Sequence, residues 1–264
     1  MERARYGGDF LAWSGGAMFI GSGGGTIAPH AHYALQIAVG APDGLRVRDG
    51  RRGPWLQGAG AVVPSRTVHS LDVAGCGWSA VVFVEPETPA GRALSSRLGR
   101  RIEVLDHAAV ADRVALVERA WTVTRSADAL QEAATGLVAH LSGTAPHAPS
   151  DPRVLRAIEY IRGRADDPPS LEEVARAVHL SPGRFRHLFV QETGMPLRTY
   201  LLWRKVLRAW DFVMRGESLA GAAQAAGFSD SAHLSRTCRT MFGLPPSALR
   251  MSGPLSEGRD RPSR

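Results

Sequence analysis

Residues 170–196 have the sequence SLEEVARAVHLSPGRFRHLFVQETGMP, and residues 218–245 have the sequence SLAGAAQAAGFSDSAHLSRTCRTMFGLP. Each stretch combines a short helix with small inner residues, a brief turn, a capped second helix and a closing Gly-x-Pro. Ala175 is matched 48 positions later by Ala223, and Gly194 is matched 49 positions later by Gly243. A one-residue insertion reconciles these two offsets. The repeat predicts a helix-turn-helix motif that occurs twice.

Local start signals support these helices. Ser170 and Glu173 have the spacing of a capping box, and Ser181-Pro182 supplies an N-cap followed by proline at the first helical position. Asp151-Pro152 gives the same signal for a helix that runs through Ile161. Between the two units, the pattern predicts a long helix over 197–214.

The second helix of such a motif enters the major groove, where its outward residues meet base edges. In the first unit Phe185, Leu188 and Phe189 face inward, and in the second unit Leu234 and Cys238 do so. The predicted DNA-contacting residues are therefore Gly183, Arg184, Arg186, His187 and Gln191 in the first unit, and Ser231, Ala232, Ser235, Arg236 and Arg239 in the second. Arginine can pair with guanine through two hydrogen bonds. The alternative is that these arginines meet only phosphate.

The charge distribution favours a polyanionic partner for the same part of the chain. The formal net charge is +7. Residues 1–150 contain 14 basic and 13 acidic residues, whereas residues 151–264 contain 18 basic and 12 acidic residues. The basic excess is typical of a nucleic-acid-binding domain, although a solvated basic surface would have the same composition.

Length and composition exclude several classes of protein. The 264 residues suggest two domains or one large domain, and the 44% hydrophobic fraction excludes wholesale disorder. Two cysteines, Cys76 and Cys238, are too few for a disulfide scaffold and fit a reducing cytosol. The sequence has no apolar run of membrane-spanning length and no signal-peptide core, so we expect a cytoplasmic protein without a membrane partner.

The N-terminal part has a different periodicity. Short apolar or alternating runs separated by Gly, Pro and Asp predict a β-sandwich or barrel over the first hundred residues. Helical spacing begins near Asp106 and includes an apolar stripe of Val110, Val114, Val117 and Trp121, which either forms a dimerisation surface or packs on its own barrel. The predicted domains are an effector-sensing barrel over 1–105, a helical segment over 106–142, a linker over 143–150, a DNA-binding domain over 151–251 and a disordered tail over 252–264.

Three histidines in the N-terminal part have metal-ligand spacing. His30 and His32 follow a glycine-rich segment at i, i+2, so both can point to one face of a strand, and His69 on a neighbouring strand can join them. Three imidazoles with an oxygen ligand form a plausible site for Fe, Mn, Ni, Cu or Zn. The alternatives are that these histidines are hydrogen-bonded core residues or that they contact an organic ligand. The aromatic candidates for a pocket wall are Trp13, Tyr33, Trp55, Trp78 and Phe83.

The segment from about Arg153 to Arg250 resembles the DNA-binding domain of AraC-type bacterial transcription regulators. The matching residues are Leu171–Val178, Leu180-Ser181, Phe185, Phe189, Gly194, Pro196, Tyr200-Leu201, Arg204, Ala209, Ala222, Ala225, Gly227-Phe228, Leu234, Arg236, Phe242-Gly243, Pro245 and Arg250. The resemblance implies that both second helices lie in adjacent major grooves and that a linker helix holds them apart. Cys238 stands where the family usually has phenylalanine, which predicts a smaller packing contact. Gly183 stands where the family often has a larger side chain that reads bases. The resemblance therefore implies that base recognition by the first unit depends more on Arg184, Arg186 and His187.

Residues 10–85 resemble the cupin β-barrel, through Gly24 to His32 and Gly58-x5-Pro64 to His69. The resemblance implies a barrel with an inward-facing ligand set of His30, His32, Gln36 and His69, which holds an effector or a divalent metal. Two positions depart from the cupin pattern, because Gln36 replaces the usual glutamate and Arg66 replaces the usual glycine. Glutamine is neutral and a poorer metal ligand than glutamate.

Together these features predict a two-domain α+β regulator, with a cupin-like barrel and helices followed by an all-α domain of two helix-turn-helix units. The expected function is sequence-specific DNA binding controlled by a small-molecule effector and without enzymatic activity. The expected partners are double-stranded DNA, the effector, a second copy of the chain and, for an activator, RNA polymerase. Two alternatives remain open: a metal-dependent cupin enzyme fused to a DNA-binding domain, and an architectural DNA-binding protein without an effector.

Overall fold

The computed structural model describes residues 6–143, 151–164 and 168–251. We call residues 6–143 the sheet half and residues 151–251 the helical half. The predicted linker over 143–150, apart from Gly143, and the predicted tail over 252–264 lie outside the described residues.

The sheet half is built from two mainly antiparallel sheets, to which the helical half adds one strand, Leu249–Met251. The strands are β1 (Tyr6–Trp13), β2 (Gly16–Ser22), β3 (Thr26–His30), β4 (Leu35–Pro42), β5 (Leu45–Asp49), β6 (Trp55–Gly58), β7 (Gly60–Val63), β8 (His69–Asp72), β9 (Cys76–Val84), β10 (Glu103–Leu105) and β11 (Leu249–Met251). The first sheet has the order β10-β7-β4-β9-β2-β1-β11, and the second sheet has the order β3-β8-β5-β6.

Strand β4 shows how the layers form. Its side chains alternate between the two faces of the first sheet, as strand geometry requires. Ile37 packs in one buried cluster with Leu94 and Leu130 of the covering helices. Ala38 packs in another cluster with Leu71 of the second sheet. The first sheet therefore lies between a helical layer and the second sheet.

The helices are α1 (Pro89–Leu98), α2 (His107–Arg119), α3 (Ala127–Ser142), α4 (Pro152–Arg162), α5 (Leu171–Ala177), α6 (Pro182–Thr193), α7 (Leu197–Met214), α8 (Leu219–Ala225) and α9 (Ser231–Phe242). A π-helical segment, Ala120–Thr124, follows α2, and a 3-10 turn, Pro246–Ala248, precedes β11. Among the described residues, no helix combines the length and apolarity needed to cross a membrane.

The prediction of strands throughout the first hundred residues is wrong at α1. Thr88 accepts a hydrogen bond from the backbone of Gly91, and Pro89 occupies the first turn, so a capped helix starts directly after β9. The apolar stripe that begins at Val110 packs on its own sheet half, because Val110 and Val117 are buried and Val114 and Trp121 pack against the same cluster.

The predicted helix signals of the helical half are confirmed. Ser170 and Glu173 form both bonds of the capping box, and Ser181 caps α6 through the backbone N–H of Arg184. Gly194 and Gly243 end the second helix of each unit at φ values of +76° and +71°, which glycine adopts without strain.

The prediction of an all-α C-terminal domain is wrong at its end. Pro245 and Pro246 terminate the helical run, and the following residues extend into β11. This strand pairs in parallel with β1, from Tyr6↔Leu249 onward, and covers the edge of the first sheet. Without β11, strand β1 would be an edge strand with unpaired backbone N–H and C=O groups. Pairing with β11 satisfies these groups.

Aromatic side chains join the two halves in one core. Phe19 of β2 lies 5.1 Å from Trp210 of α7 between ring centroids. Phe83 of β9 lies 5.5 Å from Trp203 and 5.4 Å from Phe242. Because aromatic pairs contribute most when buried, this cluster holds α7 and α9 against the first sheet.

Candidate DNA-binding helices and effector site

The residues predicted to contact DNA in the first unit lie on the exposed face of α6. Phe185 and Phe189 are fully buried on the opposite face. The exposed residues are Gly183, Arg184, Arg186, His187 and Gln191. This face leaves two arginines and a histidine open to a partner.

The second unit has the same arrangement on α9. Leu234 and Cys238 are buried. Ala232, Arg236 and Arg239 are exposed, and Ser231 and Ser235 are half-buried. Burial raises the pKa of the Cys238 thiol to about 12, so this side chain is a neutral packing group.

The three histidines converge in the interior of the sheet half. His30 ends β3 and His69 begins β8, and their ring centroids lie 4.3 Å apart. His32 lies in the loop before β4, not on the strand that sequence spacing predicted, and its ring lies 5.1 Å from that of His69. One ligand nitrogen from each residue falls within 4.8 Å of the other two. We call these three residues the histidine cluster.

Backbone carbonyls orient all three rings. Nδ1 lies 2.8 Å from the Ala28 oxygen in His30, 2.7 Å from the Ala34 oxygen in His32 and 2.9 Å from the Thr67 oxygen in His69. A carbonyl oxygen only accepts, so each Nδ1 carries the proton and each Nε2 keeps its lone pair. Nε2 of His69 has no hydrogen-bond partner within the described ranges.

Burial keeps the histidine cluster neutral. It lowers the pKa of His30 and of His69, and it lowers the pKa of His32 to about 3. The amide of Gln36 lies 2.9 Å from Nε2 of His32. Because that nitrogen accepts, the amide must turn its NH2 group toward the ring. Three neutral imidazoles with backbone-bonded Nδ1 atoms are a donor set that fits a divalent transition metal.

An apolar cavity of about 100 Å³ lies between the sheets and the helical half. His30 and Gln36 form its polar end at the histidine cluster, and Tyr6, Asp9 and Ser79 also line the cavity. Its lining from the helical half comprises Trp210, Phe242, Leu244 and Leu249. Of the aromatic residues that the sequence suggested for a pocket wall, Phe83 lines this cavity, whereas Trp13, Tyr33, Trp55 and Trp78 do not.

Sequence reasoning missed the helical half's contribution to the cavity. Trp210 and Phe242 have helical apolar spacing, which indicates burial but not the partner against which each residue is buried. The partner is set by the contact between the two halves, which helical spacing within one half does not encode.

The C-terminal end of α9 touches the histidine cluster. A Cβ atom on Gly243 would lie 2.5 Å from the carbonyl oxygen of Ala28 and 2.8 Å from Nδ1 of His30. Glycine is therefore required at this position by packing as well as by its backbone angle. The end of the second helix-turn-helix unit therefore packs directly against His30 of the histidine cluster.

A buried acidic pair anchors α4 and α7. Glu85 is fully buried and lies 2.5 Å from the Arg162 guanidinium, and Nε1 of Trp203 donates to it at 3.3 Å. Glu87 accepts a hydrogen bond from the Tyr33 hydroxyl. Burial, followed by the negative charge of Glu85, raises the pKa of Glu87 to about 8. Sequence reasoning missed this anchor, although two glutamates directly after a long apolar strand are a signal that could have indicated it.

Two capped helix pairs with exposed basic second helices form two helix-turn-helix units. Residues 174–252 match the family model described as a helix-turn-helix domain. The same part of the chain is similar in sequence to two bacterial regulatory proteins.

The arabinose operon regulatory protein of Escherichia coli (strain K12) is 33% identical over 109 residues, which are 39% of this chain and 36% of that protein. The multiple antibiotic resistance protein MarA of the same organism is 29% identical over 103 residues, which are 39% of this chain and 81% of MarA. The chain thus spans little more than a third of the arabinose regulator's length.

The fold of nearly the whole chain is similar to that of ToxT from Vibrio cholerae O395. The two superpose with a TM-score of 0.56 over 90% of this chain and 96% of ToxT, at 11% sequence identity. At this identity the similarity concerns the fold alone. It covers both the sheet half and the helical half.

Proposed function

We propose that this chain is a sequence-specific transcription regulator whose DNA binding is controlled by a small molecule in the sheet half. The observation that carries the proposal is the shared cavity, because Trp210 and Phe242 of the helical half form part of its wall. A ligand there contacts the DNA-binding domain directly. The sheet half acts in this proposal as a cupin-like sensor barrel over 1–105 with helices over 106–142, and residues 151–251 act as the DNA-binding domain.

In the proposed complex, α6 and α9 occupy adjacent major grooves. Arg184, Arg186 and His187 face the first groove with Gly183 and Gln191, and Arg236 and Arg239 face the second with Ser231, Ala232 and Ser235. Arginine at these positions reads guanine or holds phosphate. Pairing of two chains and contact with RNA polymerase would follow binding at a promoter.

The lining of the cavity favours an uncharged, largely apolar effector. A ToxT structure has an unsaturated fatty acid bound. In this chain, the described cavity lining contains no Lys or Arg but includes the carboxyl group of Asp9, and its polar end at the histidine cluster consists of neutral His30 and the amide of Gln36. A buried carboxylate without a cationic partner is strongly unfavourable. A neutral ligand with one hydroxyl or amide group fits this polar end better.

The histidine cluster favours a second candidate, a divalent metal held by His30, His32 and His69. Such a metal would supply a Lewis acid and an open coordination position at the polar end of the cavity. The cluster's neutral rings would bind it without losing protons. With turnover, this candidate becomes a metal-dependent cupin enzyme; without turnover, the metal is part of the sensor.

The mechanism follows from the position of the cavity. The effector binds one packing of the sheet half on α7 and α9 better than another, which shifts the population that can place both second helices on DNA. An architectural protein without an effector would show no such shift.

Selection of genomic fragments with the purified chain tests the proposal, with metal content measured on the same preparation. We expect a bipartite motif with half-sites about 10 bp apart, one helical turn. Salt-sensitive binding to any DNA without an enriched motif would contradict sequence-specific regulation and favour the architectural alternative. Stoichiometric metal would assign the histidine cluster as a metal site.

Arg236→Ala tests base reading within the selected motif. If Arg236 reads a base, we expect a loss of about 1–3 kcal/mol on the motif and relaxed preference at one base pair. His187→Ala, at the equivalent position of the first unit, is the matched variant and should cost less. A loss that is equal on all sequences would assign Arg236 to phosphate.

A further inference from the structure

Arg66 occupies a backbone position that favours glycine. It lies in the turn between β7 and β8 with φ of 61°, in the left-handed region. The cupin pattern has glycine at this position. This chain therefore has arginine at a position where glycine would be less strained. The contacts of the Arg66 side chain suggest a role for it.

The Arg66 side chain reaches the helical half. Its guanidinium donates a hydrogen bond to the carbonyl oxygen of Gly194, the residue that ends α6. The last carbonyls of a helix lack partners within the helix and carry the negative end of its dipole, so a cation is well placed there. Arg92 of α1 adds a second contact, from Nη1 to the Glu192 carboxylate at 3.3 Å.

The backbone of the same turn is bonded to the histidine cluster. The N–H of Arg66 donates to the carbonyl oxygen of His32 at 2.8 Å. Nδ1 of His69 donates to the carbonyl oxygen of Thr67 at 2.9 Å. Two of the three histidines are therefore one hydrogen bond away from the turn that carries Arg66.

We infer that Arg66 is a positioning residue that links the histidine cluster to the C-terminal end of α6. A ligand that moves His32 or His69 displaces the turn, and the guanidinium transmits the displacement to the first unit. The consequence for DNA binding rests on the proposed function, since the orientation of α6 matters only if α6 contacts DNA. The link itself is a property of the free protein and can be measured without DNA.

Hydrogen exchange of the full chain, followed in peptides that cover residues 188–196, tests the link. Arg66→Gly removes the guanidinium and also relieves the backbone, so the variant should fold at least as well as the native chain. We expect about fivefold faster exchange at the end of α6, with unchanged protection in β4 and β9. Arg66→Lys, which keeps a cation, should restore part of the protection.

Arg125→Gly is the matched control. Arg125 has φ of 55°, and its guanidinium contacts Asp9 within the sheet half. This change removes an arginine from a left-handed position without touching α6, so exchange in 188–196 should stay native. Unchanged exchange in Arg66→Gly, or an equal rise in both variants, would overturn the inference.

Two variants of His69 test the route from the cluster. Asparagine can still donate to the Thr67 oxygen, whereas leucine cannot. We expect His69→Leu to raise exchange at the end of α6 and His69→Asn to leave it near native. In an Arg66→Gly background, the effect of His69→Leu should disappear. If it persists in full, the histidine acts on α6 by another route and the inference is wrong.

The same variants separate this inference from the proposed function. If exchange responds as expected but no variant binds a specific DNA motif, the link stands and the regulator proposal fails. If the chain binds a motif but exchange in Arg66→Gly is native, the regulator stands and the link fails.

Discussion

The two helix-turn-helix units have the same helices, caps and Gly-x-Pro endings, but they attach to the sheet half differently. The end of α6 is held by the exposed guanidinium of Arg66, and a Cβ atom on Gly194 would meet nothing within 4 Å. The end of α9 is packed, with Gly243 against His30 and Phe242 between aromatic rings. The first unit is held by polar contacts, exposed at Arg66 and half-buried between Arg92 and Glu192, and the second unit is held by a packed interface.

This difference indicates how a signal would reach each unit. Exposed charged contacts contribute up to about 1 kcal/mol and are screened by salt, whereas a buried aromatic side chain contributes several times as much. In the proposed mechanism, a ligand in the cavity acts on the second unit through direct packing. The first unit, which is the more adjustable of the two, would respond through Arg66.

The largest expected effect comes from alanine at the two helix-ending glycines. Gly194→Ala places a Cβ atom at positive φ in open space and should cost about 1 kcal/mol. Gly243→Ala adds a collision with the Ala28 carbonyl and His30, so we expect a total cost of about 3 kcal/mol. Urea unfolding of both variants measures the difference.

Equal costs in the two glycine variants would contradict the comparison, because they would show that the collision at Gly243 is relieved without loss. In that case the second unit would be no more tightly attached than the first.

The next effect comes from removing the aromatic contact of the second unit. Phe242 is half-buried and lies 5.9 Å from both Phe19 and Trp203 between ring centroids. Phe242→Ala should destabilise the chain by about 2 kcal/mol and enlarge the cavity. Phe242→Leu keeps most of the apolar volume and should cost less. Hydrogen exchange should rise at the end of α9 and remain native at the end of α6, and a rise confined to α6 would reverse our assignment.

A smaller effect concerns the pH dependence of stability that arises from Glu87. This residue belongs to the buried acidic pair that anchors α4 and α7. The pKa of Glu87 is raised to about 8, so the folded chain holds a proton that the unfolded chain releases near pH 4.5. The stabilisation from this proton is complete below that pH and is lost as the pH rises through about 8. From pH 7 to pH 9, we expect the native chain to lose about 1 kcal/mol of unfolding free energy.

Glu87→Gln should remove this decline, because the amide has no proton to lose and its oxygen still accepts from Tyr33. Arg162, Glu85 and Tyr200 face the same group and remain unchanged in the variant. Urea unfolding of the native chain and of Glu87→Gln at several pH values tests this prediction. A decline of the same size in Glu87→Gln would assign the pH dependence to another group.

The helical half was largely predictable because its signals are local. Ser170 with Glu173 and the closing glycines fix helix starts and ends within a few residues of sequence. The convergence of the three histidines was also predicted, although His32 reaches the cluster from a loop. The contacts between the halves were not predicted, since Gly243 and His30 are more than 200 residues apart. The exposed helix end at Gly194 shows no apolar pattern that would point to Arg66.

The smallest effect separates the units without any substitution. Between 0.05 M and 0.5 M NaCl, screening should weaken the charged contacts of Arg66 and Arg92 with the end of α6 by about 0.5 kcal/mol. Exchange in residues 188–196 should therefore rise about twofold, while exchange at the end of α9 stays constant or falls, because salt does not weaken apolar packing. In Arg66→Gly the salt response should shrink to the part contributed by Arg92. A parallel response of both helix ends would mean that the same kind of contact holds the two units.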